Sequence, residues 1–145
     1  MGKCAVGENI AIIGGGSLGL ESAVTQSLKG KKVKVFEILP KLNHDNSTSE
    51  LLRMLEENGA EIYTGRRLIS IHPDKIVCTA LCGGEVEEHE CDTVLISAGL
   101  VSRKNVVEEL RHILPETDVY IVGDAGEPRS LGDAVHEGFN AALNI

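Results

Sequence analysis

A glycine-rich run directly after a short apolar segment is the feature that most constrains the fold of this chain. Residues 9–14 read NIAIIG, as expected of a buried parallel strand, and the run Gly14-Gly15-Gly16-Ser17-Leu18-Gly19 fits the pattern G-x-G-x-x-G. Apolar residues at helical spacing follow over residues 17–29, and residues 33–38 form a second predicted strand. A strand, a glycine loop, a helix and a strand in this order predict a βαβ unit that binds a dinucleotide.

The glycines of this loop have separate predicted roles. Gly14 permits the tight turn, Gly16 lets the backbone approach a pyrophosphate, and Gly19 lets the helix pack closely on the strand. The amides near Ser17 and Leu18 then face the anion at the positive end of the helix. The alternative is a glycine turn that packs helix against strand and binds no ligand.

Glu37 stands at the end of the second predicted strand, where a carboxylate can accept hydrogen bonds from both hydroxyls of an adenine-side ribose. Because a carboxylate there repels a 2′-phosphate, we expect NAD(H) to be favoured over NADP(H). Lys41 is the first base that follows Glu37 in the sequence, and no arginine lies between Glu37 and Arg53. The alternative for Glu37 is a solvated acid at a strand end.

Two other acidic features are ambiguous. Glu21 lies two residues past Gly19, on what we expect to be the first turn of the helix. The helix dipole favours an anion there, so capping and ligand contact explain Glu21 equally well. Residues 85–90 are rich in Glu around His89, but alternation along a strand spreads these side chains over two faces. We therefore expect a solvated edge strand and no metal site there, and we assign no catalytic residue.

The rest of the chain predicts a helix that opens at the capping-box signature of residues 47–50 and ends at Asn58-Gly59, further strands, and a final helix over residues 130–143. The further strands are predicted at residues 61–64, 67–72, 75–80, 85–91, 92–97 and 119–122. Turns at Pro73-Asp74 and Gly83-Gly84 make residues 67–91 a meander. The sum is α/β, a Rossmann-like three-layer domain with a mainly parallel sheet and an inserted antiparallel β-meander. Since an apolar strand cannot stay unpaired in water, we expect residues 119–122 to pair beside residues 92–97 or to be exchanged with another copy.

Length and charge exclude several classes of function. A chain of 145 residues is long enough for one domain, and we expect residues 1–145 to form a single NAD(P)-binding domain. With 14 Lys and Arg against 22 Asp and Glu, the formal net charge is -8, which disfavours nucleic acid and anionic membrane surfaces as partners. No stretch is long and apolar enough for a membrane helix, and we expect no signal peptide.

The cysteines indicate a reducing environment. Cys4, Cys78, Cys82 and Cys91 form neither a C-x-x-C pair nor a paired zinc pattern. We therefore expect free thiols and a cytoplasmic location. The spacing also excludes a dithiol-relay enzyme whose redox disulfide lies within these residues.

Three stretches together resemble the NADH:flavin oxidoreductase family, which includes 2-enoate reductase, 2,4-dienoyl-CoA reductase and trimethylamine dehydrogenase. The glycine loop with Phe36-Glu37 is similar to the pyridine-nucleotide domain of flavoproteins that have two dinucleotide-binding domains. The later stretches Ser97-Ala98-Gly99, Gly123-Asp124-Ala125-Gly126-Glu127-Pro128-Arg129 and Ala134-Val135-His136-Glu137-Gly138-Phe139 are similar to the C-terminal part of that family. The resemblance covers almost the whole chain, from about Val6 to Ile145. One departure is a missing proline shortly after Gly99.

The resemblance implies a particular domain context. In that family an FMN barrel with an iron–sulfur cluster comes first, and an NAD(P)-type domain is inserted within an FAD/ADP-binding domain. This chain is similar to the inserted domain, with residues from about 113 to 145 as the returning end of the FAD-binding domain. We therefore expect an excised fragment or a stand-alone remnant.

The resemblance also implies site roles. The residues from Gly14 to Glu21 would bind the NAD pyrophosphate, with Glu21 near the nicotinamide carboxamide or its ribose. Glu37 would contact the adenine-side ribose and Leu68 the adenine side. Gly99 would close over the cofactor, and Asp124 would hold the ribityl or phosphate part of FAD.

The function expected from these implications is hydride delivery from NADH to a flavin, FAD or FMN, for reduction of an acceptor such as an enoate. The expected partners are the dinucleotide, the FAD domain and the FMN barrel of a parent protein, with a homodimer possible. Two alternatives stay open at this point: an FAD- or ADP-binding domain, and a non-catalytic NAD-sensing module.

Overall fold

The computed structural model describes residues 5–42 and 46–145. The elements in chain order are β1 (Asn9–Ile13), α1 (Ser17–Ser27), β2 (Lys32–Phe36), α2 (Asn46–Glu57), β3 (Glu61–Tyr63), β4 (Arg66–Ile71), β5 (Lys75–Ala80), β6 (Val86–Glu90), β7 (Thr93–Ile96), α3 (Lys104–Ile113), a 3-10 turn (Gly123–Ala125) and α4 (Leu131–Ala142). Contacts group the chain into two compact units, with the boundary between Gly99 and Leu100.

Four parallel strands form the central sheet of the first unit, in the order β3-β2-β1-β7. Ile12 of β1 lies opposite Val35 of β2 on one side and Leu95 of β7 on the other. Because all four strands run in one direction, their carboxyl ends meet at one edge of the sheet. In open α/β sheets this edge is where ligands bind.

Alternation along the strands separates two apolar faces. Ile10 and Ile12 point to one face and pack with Leu20 of α1 and Leu55 of α2 in a fully buried cluster. Ala11 points to the opposite face. This period of two is the reason that β1 reads as a continuous apolar run, because helices cover one of its faces and other elements cover the second.

The meander covers that second face. Strands β4, β5 and β6 form an antiparallel sheet in this order, and Ile76 and Cys78 of β5 pack against Ala11 and Phe36 of the parallel sheet. The layers are therefore helices, parallel sheet and meander. The predicted fold class is confirmed.

The second unit holds α3, the 3-10 turn and α4. The Ser130 hydroxyl caps α4 by accepting from the Asp133 amide at 3.2 Å, and the Asp133 carboxylate accepts in return from the Ser130 amide at 3.1 Å, a capping box. The Gly123 amide donates to the Glu137 carboxylate at 2.7 Å, which ties the turn to α4. Neither helix of this unit has a buried residue.

The strand predicted at residues 119–122 is wrong. Val122 has extended backbone angles, but none of the described residues forms a ladder with this segment, and the neighbour of β7 in the sheet is β1. A strand is defined by its hydrogen-bonded partner, and an apolar pattern cannot supply one. The Tyr120 hydroxyl instead donates to the Asn144 carbonyl at 3.1 Å. Exchange of this segment with another copy stays a prediction.

The single domain expected from length stays a prediction. Contacts group the residues from Leu100 onward into their own unit, in which neither helix buries a residue. Assignment of residues 113–145 to the returning end of an FAD-binding domain stays a prediction.

Two other sequence expectations concern membranes and thiols. Within residues 5–42 and 46–145, no helix combines the length and the apolar character that crossing a membrane requires. Cys78 and Cys91 are buried free thiols and Cys82 is an exposed one, whereas Cys4 lies outside the described residues. Burial raises the pKa of the Cys78 and Cys91 thiols, which keeps them protonated and unreactive.

Candidate nucleotide-binding site

A cavity of about 550 Å³ lies at the carboxyl edge of the parallel sheet. The ends of β1, β2 and β7 and the start of β4 line it, and they bring together five predicted site residues: Gly14, Gly16, Glu37, Leu68 and Gly99. Small-molecule sites have volumes of roughly 300–1,000 Å³. Both the size and the position of the cavity therefore fit a ligand site of an α/β sheet.

Two glycines of the loop are required by the fold. Gly14 has a φ of 109°, and a Cβ on it would lie 2.1 Å from the Ser97 carbonyl oxygen of the chain that follows β7. A Cβ on Gly19 would lie 2.1 Å from the Gly14 carbonyl oxygen. Each contact is with backbone, which cannot move aside. These two glycines let helix, loop and strand approach one another closely.

Gly16 is different, because a Cβ on it would meet no protein atom within 4 Å. Packing therefore gives no reason for a glycine here, and the open space lies beside the N-terminus of α1, where Gly16 is the N-cap. No side chain caps this helix, and the Ser17 and Leu18 amides have no hydrogen-bond partner among the described residues. Unpaired amides and open space at a helix N-terminus fit a phosphate group.

The Glu37 carboxylate is fixed against the glycine loop. One oxygen accepts from the Gly15 amide at 2.6 Å and the other from the Leu39 amide at 2.8 Å. The residue is only 9% exposed, so the alternative of a solvated strand-end acid is wrong. Each carboxylate oxygen has a second lone pair, so the group can still accept from ligand hydroxyls.

A smaller cavity of about 130 Å³ adjoins the loop. Gly15, Gly16 and Ser17 line it together with Glu37 and Lys41. Glu37 and Gly16 therefore belong to both cavities. Lys41, which sequence reasoning gave as the base near Glu37, is on this smaller side.

Two arginines of the site were missed by sequence reasoning. The Arg66 amide donates to the Glu37 carbonyl at 2.8 Å, so the start of β4 lies directly beside the end of β2. Arg66 and Arg67 both line the larger cavity with Glu37. Lys41 follows Glu37 closely in sequence, whereas the arginines that line the larger cavity with Glu37 come from a later strand. The signal that could have found the arginines is the parallel pairing of β2 with β3, which delivers the next residues to this edge.

The predicted role of Glu21 in the first helical turn is corrected. Helix α1 begins at Ser17, so Glu21 is its fifth residue, and the first turn contains no acidic side chain. The carboxylate is exposed and lines neither cavity. Capping of the helix dipole is therefore excluded as its role. A contact with the nicotinamide end of a ligand stays a prediction.

The other predicted site residues lie in different parts of the structure. Gly19 is buried under the loop, Leu18 is exposed on α1, and Asp124 is an exposed residue of the 3-10 turn in the second unit. Leu68 packs on the Ala11 and Phe36 cluster while it lines the larger cavity. It thus offers an apolar wall, which suits an adenine ring.

The acidic strand β6 is integrated into the fold. Glu87 bonds the Arg66 guanidinium at 2.9 Å, which holds the pKa of the Glu87 carboxyl below its usual range. The His89 ring contacts Phe36 and Tyr63 edge-on, with centroids 4.7 and 4.8 Å apart. Glu87 and His89 thus face inward and the residues between and beside them outward, as alternation predicts. No three metal-ligating side chains converge anywhere in the described part of the chain.

The fold and this site define a dinucleotide-binding α/β domain. The family model for pyridine nucleotide-disulphide oxidoreductase matches residues 3–138, and the chain belongs to that family. Members of the family bind FAD and NAD(P).

Known proteins that are similar in sequence to this chain are also oxidoreductases. The chain is similar to cinnamate reductase of Clostridium sporogenes, with 25% identity over 97% of this chain and 21% of the relative. It is similar to NADH oxidase of Thermoanaerobacter brockii, with 28% identity over 95% of this chain and 21% of the relative. A solved 2-naphthoyl-CoA reductase superposes with a TM-score of 0.80 and 22% identity, over 98% of this chain and 22% of that one, which supports the fold.

These comparisons confirm the resemblance to flavin-dependent oxidoreductases and the oxidoreductase class of the domain. The chain spans about a fifth of the length of these relatives.

Proposed function

We propose that this chain binds NAD(H) at the glycine loop and holds the nicotinamide for hydride delivery to a flavin in a larger oxidoreductase. The supporting observation is the combination of open space at Gly16, unpaired Ser17 and Leu18 amides, and the fixed Glu37 carboxylate. The amides bind the pyrophosphate, and Glu37 accepts from the adenine-side ribose hydroxyls. Leu68 supports the adenine and Gly99 closes the cavity edge.

Hydride transfer of this kind needs a domain that binds and orients the nicotinamide cofactor. Reduced nicotinamide supplies a hydride when bound, and the chain's task is to position it and exclude water. The acceptor that we propose is an unsaturated acid, since the chain is similar to a cinnamate reductase. Asp124 would contact FAD in the full-length protein. An FMN barrel would be a further partner, and the protein would be located in the cytoplasm.

Preference for NADH over NADPH is part of the proposal. The Glu37 carboxylate is held by two main-chain amides, so it cannot swing away from a 2′-phosphate without losing both hydrogen bonds. Its charge therefore acts against a phosphorylated ribose. This is an electrostatic argument for NADH as the tighter ligand.

Titration of the chain with NADH, NADPH, FAD and ADP tests the proposal. Glu37→Ala removes a charged hydrogen-bond acceptor, a class of interaction that contributes about 1.5–3 kcal/mol, so we expect NADH affinity to fall about tenfold or more. Glu56→Ala is the matched control, since Glu56 is an exposed helix residue with no ion pair in the described chain, and its affinity should be unchanged.

Other results would point to the two alternatives. A chain that purifies yellow and binds FAD but not NADH would be an FAD-binding domain. A chain that binds NADH but leaves the flavin of its full-length protein oxidised would be a sensing module. NADH binding that is equal in the wild type and in Glu37→Ala would contradict the site assignment.

A further inference from the structure

We infer that Arg67 is a specificity-determining residue that weakens the discrimination of Glu37 against a 2′-phosphate. This inference rests on the proposed function and concerns the adenosine end of the same cavity. Its ligand class is a nucleotide with a phosphate on the 2′-oxygen of the adenine-side ribose, bound in addition to the unphosphorylated one.

The backbone places Arg67 beside Glu37. The Gly65 amide donates to the Leu39 carbonyl at 2.8 Å, and the Arg66 amide donates to the Glu37 carbonyl at 2.8 Å. These two bonds fasten the start of β4 to the segment that carries the Glu37 carboxylate. Arg67 is the next residue, and it lines the larger cavity together with Glu37 and Leu68. A ribose bound by Glu37 therefore has this arginine near it.

The two adjacent arginines are in different electrostatic states. The Arg66 Nε donates to Glu87 at 2.9 Å, and its terminal nitrogen donates to the Thr64 carbonyl at 3.3 Å. Its charge is balanced by that carboxylate. Arg67 is exposed and forms no ion pair with any described residue. It is the arginine of this cavity with an uncompensated charge and all its donors available.

A free guanidinium and a phosphate match in both charge and geometry. Arginine presents a planar fork of donors that can bond two phosphate oxygens at once. Glu37 and Arg67 thus act in opposite directions on a 2′-phosphate, and a 2′-hydroxyl is contacted by Glu37. The consequence is a site that prefers NADH by a smaller ratio than the carboxylate by itself would impose.

Lys41 is the competing cation. It lines the smaller cavity with Gly15 and Ser17, on the loop side of Glu37, and it does not line the cavity that contains Leu68. Since Leu68 is the proposed adenine wall, the ribose 2′-position lies on the Arg67 side. Lys41 is therefore closer to the pyrophosphate region than to a 2′-phosphate.

The test measures dissociation constants of NADH, NADPH, ADP and 2′,5′-ADP for the wild type and four variants. We expect Arg67→Ala to weaken NADPH and 2′,5′-ADP about tenfold and to change NADH and ADP less than twofold. Arg67→Lys should retain part of the affinity because the charge remains and the fork does not. Lys32→Ala, at the far end of β2, is a charge-matched control and should change no ratio. The Arg67→Ala effect should shrink with added salt.

Several outcomes would overturn the inference. Equal weakening of NADH and NADPH by Arg67→Ala would show a general role, and a ratio that changes only in Lys41→Ala would assign the phosphate to Lys41. Circular dichroism of each variant verifies that it is folded. If the wild type binds NADH and its NADPH ratio is independent of Arg67, this inference fails while the proposed function stands. If it binds neither NADH nor 2′,5′-ADP, both fail.

Discussion

The two units of this chain use apolar side chains in opposite ways. In the first unit, Leu20, Ala23 and Val24 follow one another at helical spacing along α1 and are buried against the parallel sheet. In the second unit, Leu131, Val135 and Phe139 follow one another at four-residue spacing along α4 and are 81%, 64% and 62% exposed. The same helical periodicity thus describes a packed face in one unit and an open face in the other. A stripe predicts that a helix has an apolar side, and it does not predict what covers that side.

The largest expected effect separates buried from exposed leucines. Leu20→Ala removes a fully buried side chain and leaves a cavity, so we expect the free energy of unfolding to fall by about 3 kcal/mol. Leu131→Ala removes the same atoms from an exposed position, and the change should stay within about 0.5 kcal/mol. Urea denaturation of both variants measures the difference. A cost for Leu131→Ala that equals that of Leu20→Ala would mean that the α4 stripe is covered in solution.

Glycines give the next largest contrast. Gly19→Ala places a methyl group against the Gly14 carbonyl, and overpacking of this kind costs about 1–3 kcal/mol. Gly138→Ala in α4 meets no atom within 4 Å, and the better helix propensity of alanine should stabilise the protein by about 0.5–1 kcal/mol. Thermal unfolding should therefore shift in opposite directions. Destabilisation by Gly138→Ala would show that this helix face is in contact with something.

The dependence of stability on acidic pH should give the smallest effect in the comparison of the two units. The Arg66 hydrogen bond lowers the pKa of Glu87 in the folded state, so the pair contributes stability above the ordinary glutamate pKa of about 4.3 and loses it as pH falls through the lowered value. Glu87→Gln should cost about 0.5 kcal/mol at neutral pH and nothing in acid.

Asp133 of the second unit is the counterpart, because its bonds to Ser130 lower its pKa in the same way. Asp133→Asn should therefore reduce the loss of unfolding free energy that accompanies a fall in pH over the same acidic range. Urea denaturation at neutral pH and below pH of about 4 compares the two variants. A Glu87→Gln cost that does not change with pH would contradict the ion-pair explanation.

Local patterns explain why the first unit could be predicted closely. Its strands alternate over two covered faces, and its turns carry glycines such as Gly14 and Gly83 with positive φ. Both signals lie within a few residues of the structure that they specify. The order of the sheet then follows from the βαβ unit, in which β1 and β2 are adjacent and parallel.

Long-range effects explain what the sequence could not provide. A strand at residues 119–122 needs a neighbouring strand to form hydrogen bonds with, and the apolar pattern does not identify one. Arg66 and Arg67 reach Glu37 only because β3 pairs with β2, about thirty residues after the acid. Glu21 is different, because the predicted helix start at Ser17 agrees with the structure and Glu21 is the fifth residue from it, so its place past the first turn follows from counting along the sequence.

The ring cluster of Phe36, Tyr63 and His89 has a practical consequence for spectroscopy. The chain contains no tryptophan and two tyrosines, and each unit holds one of them, Tyr63 and Tyr120. Tyr63 stacks on Phe36 with centroids 5.0 Å apart, and Phe36 borders the larger cavity. The near-ultraviolet circular dichroism and the tyrosine fluorescence of the chain therefore come from one tyrosine in each unit. The variants Tyr63→Phe and Tyr120→Phe would assign each unfolding signal to its own unit without an added label.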